Sequence, residues 1–160
     1  MLSPTNARQP GESMGEWTTR LIESRTTHAV ELAARFAEER QRVLAENVAN
    51  IDTPDHHSRT LDAASFQKSL SRALHAARER GSARVELQGN SQARTDPHGR
   101  LRVDPGREPA PNVLFHDGTN ARLDALLSDA SQNSLTYNVA TQLLKNRFDG
   151  LLNAIRGRVS

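Results

Sequence analysis

The sequence predicts an all-α fold in which two long terminal amphipathic helices pair as an antiparallel coiled-coil core, with a short helix and a mobile, partly β-prone middle segment between them. Three observations carry this expectation. Apolar residues recur at three- and four-residue steps toward both ends of the chain, the period of one helix face. Residues 81–112 hold four Gly and four Pro in thirty-two positions, a density that reads as low-complexity, mobile backbone. Leu, Ile, Val and Phe supply only 33 of 160 residues. That share is close to the roughly 20% below which chains are expected to be disordered, so a thick globular core is excluded.

The elements follow in order. Residues 1–12 are polar and expected to be disordered. Ser13 and Glu16 have capping-box spacing, each side chain satisfying a free amide at a helix start. A first helix over 13–53 carries Ile22, Ala29, Ala33, Phe36, Val43, Leu44, Val48 and Ile51 on one stripe. Glu31–Arg35 and Glu38–Arg42 are i,i+4 pairs on the other face. Arg40 interrupts the stripe, and its stem is expected to lie along the seam with the charge at the edge. Pro54 disfavours helix at Thr53, which puts the helix end near Asp52. A variable middle segment spans 54–119. Leu61, Phe66, Leu70, Leu74 and Ala77 predict a short helix near 61–80, and alternation at Ala83–Leu87 and Leu101–Val103 suggests a weak hairpin. The last helix, 120–157, has Asp117, Thr119 and Asn120 as cap candidates and Gly157 as a stop. Leu123, Leu127, Ala130, Ser134, Tyr137, Thr141, Leu144, Phe148, Leu151 and Ile155 alternate steps of four and three without a break. That is a coiled-coil seam. Leu126, Leu143 and Leu152 widen the stripe, so this helix is expected to touch more than one neighbour.

Composition removes several functions. Twenty-one Lys and Arg against nineteen Asp and Glu leave a net charge of +2, too small to argue for nucleic acid or an anionic membrane by electrostatics alone. The Arg-rich middle has no aromatic platform from residue 67 to 114 on which single-stranded bases would stack. No apolar run exceeds three residues, whereas a membrane helix needs about 20. The polar start carries no cleavable-export pattern. There is no cysteine, hence no disulfide or thiol chemistry. No hydrolase, phosphate-loop or dinucleotide motif is present, so neither an enzyme nor a cofactor is indicated. Asp52, Asp55, His56 and His57 are the densest polar cluster, but adjacent residues rarely converge on one ion, and no metal site is assigned.

The most informative local motif closes the first helix. Residues 47–54 read NVANIDTP: Asn47 and Asn50 three apart, small Ala49 between them, then Asp52, Thr53 and Pro54. The two amides are placed to bond across a helix contact, Ala49 permits close approach, and Asp52 and Thr53 can bond the freed backbone as Pro54 turns the chain.

VLAENVANIDTPD closely resembles the N-terminal signature of the flagellar axial proteins, the rod, hook and hook-associated subunits. SQNSLTYNVATQLLKNRFDGLLNAIRG and FHDGTNARLDALLSD are similar to the C-terminal segment of the family's proximal-rod subunits. The family usually continues Thr-Pro-Gly with an aromatic, whereas Asp55-His56-His57 follow Pro54 here. The resemblance implies a structural subunit of the flagellar basal-body rod, which transmits motor torque, with paired terminal helices stacked in a helical array. It implies self-association, together with other rod subunits, the rod–membrane-ring adaptor and the flagellar export gate as partners. Nucleic acid binding and direct membrane insertion are not implied. It implies export through the flagellar type III apparatus without a cleaved signal. In that setting Asn47, Ala49, Asn50, Asp52, Thr53 and Pro54 form the axial motif. Ile22, Phe36, Val43, Leu44 and Val48, with Leu123, Leu127, Tyr137, Leu144, Phe148, Leu151 and Ile155, form the assembly seam. Another rod subunit of the family is the nearest alternative. A non-flagellar coiled-coil adaptor, stably helical as a discrete oligomer, is the next.

Overall fold

Amphipathic periodicity and good helix formers produce α1 (Met14–Ala49), 36 residues long and therefore about 54 Å at 1.5 Å per residue. The computed structural model describes residues 14–53, 56–108 and 118–156. After α1 come β1 (Arg59–Thr60), α2 (Ala63–Glu79), β2 (Ala93–Thr95), β3 (Leu101–Val103), β4 (Gly106–Arg107) and α3 (Gly118–Ile155). The described chain is mostly helical with a few small strands. Ser13, Pro54, Asp117 and Gly157, named above as caps and stops, lie outside the described residues, as does the segment 1–12.

α1 stops short of Asp52. The Asn50 side-chain amide donates to the Glu46 carbonyl at 2.8 Å, competing with the helical backbone for that acceptor. Beyond it the chain tightens into three-residue turns, Ile51 N–H to Val48 O at 3.4 Å and Thr53 N–H to Asn50 O at 3.1 Å.

α2 begins where Asp62 accepts from the Ser65 amide at 3.0 Å and from its hydroxyl at 2.6 Å, an N-cap. Those two bonds, the hydroxyl's first, hold the Asp62 carboxyl below its ordinary pKa. The helix buries Phe66, Ser69, Ala73 and Ala77, one face at helical spacing. It closes on Gly81, at φ 63, with Ser82 N–H returning to Ala77 O at 2.9 Å. Phe66 lies flat on Phe36 of α1, ring centroids 3.9 Å apart and planes within 4°. Around this pair Leu32, Val43, Leu61, Val85, Leu87 and Ala93 complete a buried cluster.

That cluster changes the picture of the middle segment. Val85 and Leu87 are buried while Glu86 between them is exposed, so the predicted alternation is real although Ala83–Leu87 forms no strand. The hairpin partner of β3 is β2, with Ala93 opposite Val103 and Thr95 opposite Leu101. Its turn is held by Asp96, whose carboxylate accepts the Arg100 and His98 amides at 2.9 Å each. The Arg100 amide, first of these, keeps the Asp96 pKa low. Gly99 sits at φ 80 in that turn, and β1 pairs antiparallel with β4. In residues 82–107 glycine therefore supplies turn geometry between packed side chains, where composition alone had suggested mobility. Residues 109–112 of that stretch lie outside the described residues. His28 of α1 fastens the module: its Nδ1 accepts the Val85 amide at 2.9 Å and its Nε2 donates to the Gly99 carbonyl at 3.1 Å.

Two outcomes follow. Phe66→Ala should cost about 3–5 kcal/mol in urea unfolding followed by circular dichroism, because the stacked pair is the centre of the cluster. Asp62→Ala should cost about 1 kcal/mol at neutral pH through loss of the cap. Because the folded pKa values of Asp62 and Asp96 are depressed, their contribution is present above about pH 4. It is lost as pH falls through the folded values, so the penalty of Asp62→Ala should vanish in an acid titration of the urea midpoint.

Candidate assembly surface

The Asn47 amide faces away from α3 and clamps the backbone after the turn. Its Nδ2 donates to Arg59 O at 2.7 Å and its Oδ1 accepts from Arg59 N–H at 3.0 Å. Asn47 itself is only 3% exposed, and this single side chain satisfies both backbone polar groups of Arg59 and fixes β1 against the end of α1. Asn50 does something different, bonding back within its own helix and accepting weakly from Thr53 Oγ1 at 3.4 Å. The expectation that both amides bond across a helix contact is thus corrected for each. Ala49, Asp52 and Thr53 are exposed, and Ala49 is approached by no second helix among the described residues. Pro54 and Asp55 lie outside the described residues. His56 Nε2 is buried without a hydrogen-bond partner among them.

α1 and α3 run side by side in opposite directions: Arg122, near the start of α3, reaches Ser58 just past the end of α1, while Asn133, farther along α3, meets Ala37 and Gln41, farther back in α1. The most buried residues of α3 are Leu126, Asn133 and Ala140, seven apart and one position ahead of the predicted seam. The Asn133 amide donates to Ala37 O at 2.7 Å and to Gln41 Oε1 at 2.9 Å, using both of its N–H groups. Arg40 lies along the contact as its position in the stripe suggested. It donates to Leu61 O at 3.3 Å and pairs with Asp129 at 3.3 Å, joining α1, the entry to α2, and α3.

The predicted seam residues divide accordingly. Phe36, Val43 and Leu44 are buried within the subunit. Val48, Leu123 and Leu144 are half-buried, while Leu127, Tyr137, Phe148 and Leu151 are exposed. The side chains of Ile22 and Ile155 lie outside the described residues. Leu135, Val139 and Leu143, at steps of four, form a second line turned away from α1 and are 67%, 60% and 52% exposed. Only Leu143 of these was marked by sequence reasoning. The spacing of Leu135 and Val139 to Leu143 was the available signal. Leu126, Asn133 and Ala140 were equally readable by their seven-residue interval.

The described chain is built on a pair of long helices with an apolar line left outside, and the curated proteins it is similar to are rod proteins by name. The flagellar basal body rod protein FlgB of Salmonella typhimurium is 28% identical over 142 residues, covering 80% of this chain and 96% of that protein. The FlgB of Borrelia hermsii is 30% identical over 126 residues, covering 75% and 90%. That of Escherichia coli is 29% identical over 140 residues, covering 79% and 95%. No protein-family model matches the chain. The chain belongs to the FlgB family of flagellar basal body rod proteins.

Because Asn47 alone satisfies both Arg59 groups, Asn47→Ala should cost about 2–3 kcal/mol by leaving them unpaired. Asn50→Ala should stay within about 0.5 kcal/mol, as for other surface positions. Urea titration of both variants checks this, and equal penalties would contradict the clamp.

Proposed function

We propose that this chain is a building block of the proximal flagellar rod, acting structurally and without catalysis in a tube that carries motor torque for swimming. The observation that carries this reading is the exposed line Leu135–Val139–Leu143 of α3, outside its contact with α1. Each such side chain contributes about 1.5–3 kcal/mol when fully buried, a strong drive toward neighbours. Contacts of that kind between unlike faces of identical or related subunits do not close on themselves and extend as a filament.

In this reading the α1–α3 pair is the axial core, packed in coiled-coil fashion against equivalent pairs of adjacent subunits. Phe148, Leu151 and Leu127 join the outward line as assembly contacts. Phe36, Val43 and Leu44 serve by holding α1 rigid from within. Asn47 to Thr53 form the turn that leads into the middle module at one end of the pair. Neighbours are other rod subunits, the adaptor between rod and membrane ring, and, during export, the flagellar export gate. The subunit reaches the rod through the flagellar secretion apparatus without a cleaved signal peptide. Family membership supports the rod assignment, and the absence of any described helix long and apolar enough to cross a membrane is compatible with it.

Restoring the gene to a deletion strain tests the proposal. The intact gene should restore rods, hooks and swimming, whereas Leu135→Glu/Val139→Glu should leave the circular dichroism of the purified chain unchanged and abolish swimming. Normal flagella in the deletion strain, or full motility of the double variant, would refute it.

A further inference from the structure

Arg25 is only 5% exposed, yet its one hydrogen bond to another described residue is Nε–H to the Ser82 carbonyl at 2.8 Å. Arginine cannot shed its proton inside a protein and presents five N–H donors, and a buried charge is costly unless it is compensated. Two other described arginines that reach across the molecule have carboxylates: Arg40 has Asp129 and Arg122 has Glu108. Among the residues whose side chains are described, no carboxylate pairs with Arg25.

Arg25 lines a cavity of about 220 Å³ between α1 and the last turns of α2, together with Thr26, Leu74, His75 and Arg78. Two guanidinium groups and an imidazole thus border one small cavity, and none of the described residues that line it is acidic. The C-terminal end of α2 favours a cation in its last turn, which accounts for Arg78 there, but not for a second, buried guanidinium facing the same space. Paired arginines give planar, charge-assisted donors suited to an oxyanion.

We propose that the Arg25–Arg78 cavity binds one oxyanion, a phosphate-class ion or a carboxylate. The two sources are a free ion and an acidic side chain of a neighbouring subunit, and only the second rests on the rod reading.

The test is a thermal-unfolding titration of the full chain with inorganic phosphate, and separately with acetate, at constant ionic strength. Saturable stabilisation is expected. Arg78→Gln should weaken it about tenfold, the equivalent of one charge-assisted hydrogen bond, while Arg94→Gln on the exposed strand should leave it unchanged. Stabilisation by phosphate alone assigns the site to a free phosphate-class ion. Stabilisation by both titrants assigns it to a carboxylate, and Arg78→Glu subunits that fold normally should then be missing from purified basal bodies. No saturable effect of either ion, or equal effects of Arg78→Gln and Arg94→Gln, would overturn the proposal whether or not the chain is a rod subunit.

Discussion

One constraint organises this molecule: α1 must serve two neighbours with a single narrow apolar stripe. Its large residues, Leu32, Phe36 and Val43, go to the cluster shared with α2 and the middle strands. The side left for α3 offers the Ala37 backbone, Gln41 and the stem of Arg40, and α3 answers with Asn133, Ala140 and Asp129. Buried Leu126 adds apolar contact to these small and polar groups. The polar ones fix register, because sliding α3 by one residue would strand the Asn133 amide and separate Arg40 from Asp129. The leucines of α3 that this contact does not use remain outside, and the proposed assembly surface is built from them.

The middle module depends on the same helix. His28, Arg25 and Asn47 are spread along α1 and each bonds to backbone of the segment 59–99: His28 to Val85 and Gly99, Arg25 to Ser82, Asn47 to Arg59. Every one of these is a side chain of α1 satisfying backbone of the middle module. A segment with strands of two or three residues is marginal by itself, and the helix supplies the partners that a larger sheet would.

Much of this was legible in the residues. Helical periodicity located α1, α2 and α3, the strand Leu101–Val103 was visible as alternation, and the motif from Asn47 to Pro54 marked the end of α1. What was not legible depended on partners distant in sequence. Nothing local says that Asn47 will bond Arg59 twelve positions on, or that β3 will pair with Ala93–Thr95 and leave Ala83–Leu87 unpaired. The line of α3 buried inside the subunit runs one residue ahead of the one apolar character picks out, because it contains Asn133, whose amide is satisfied by the geometry of α1. Glycine has a local meaning that composition does not carry: Gly81 and Gly99 mark tight turns, placed by Val85 and Leu87 finding the core.

The central claim is that the outward line of α3 is free in the subunit and covered in the rod. The chain has no cysteine, so a single Leu135→Cys substitution gives a clean probe. Maleimide labelling should be rapid for the soluble full-length chain and strongly suppressed in purified basal bodies. Equal labelling in both states would contradict the account, as would an unreactive thiol in the free subunit.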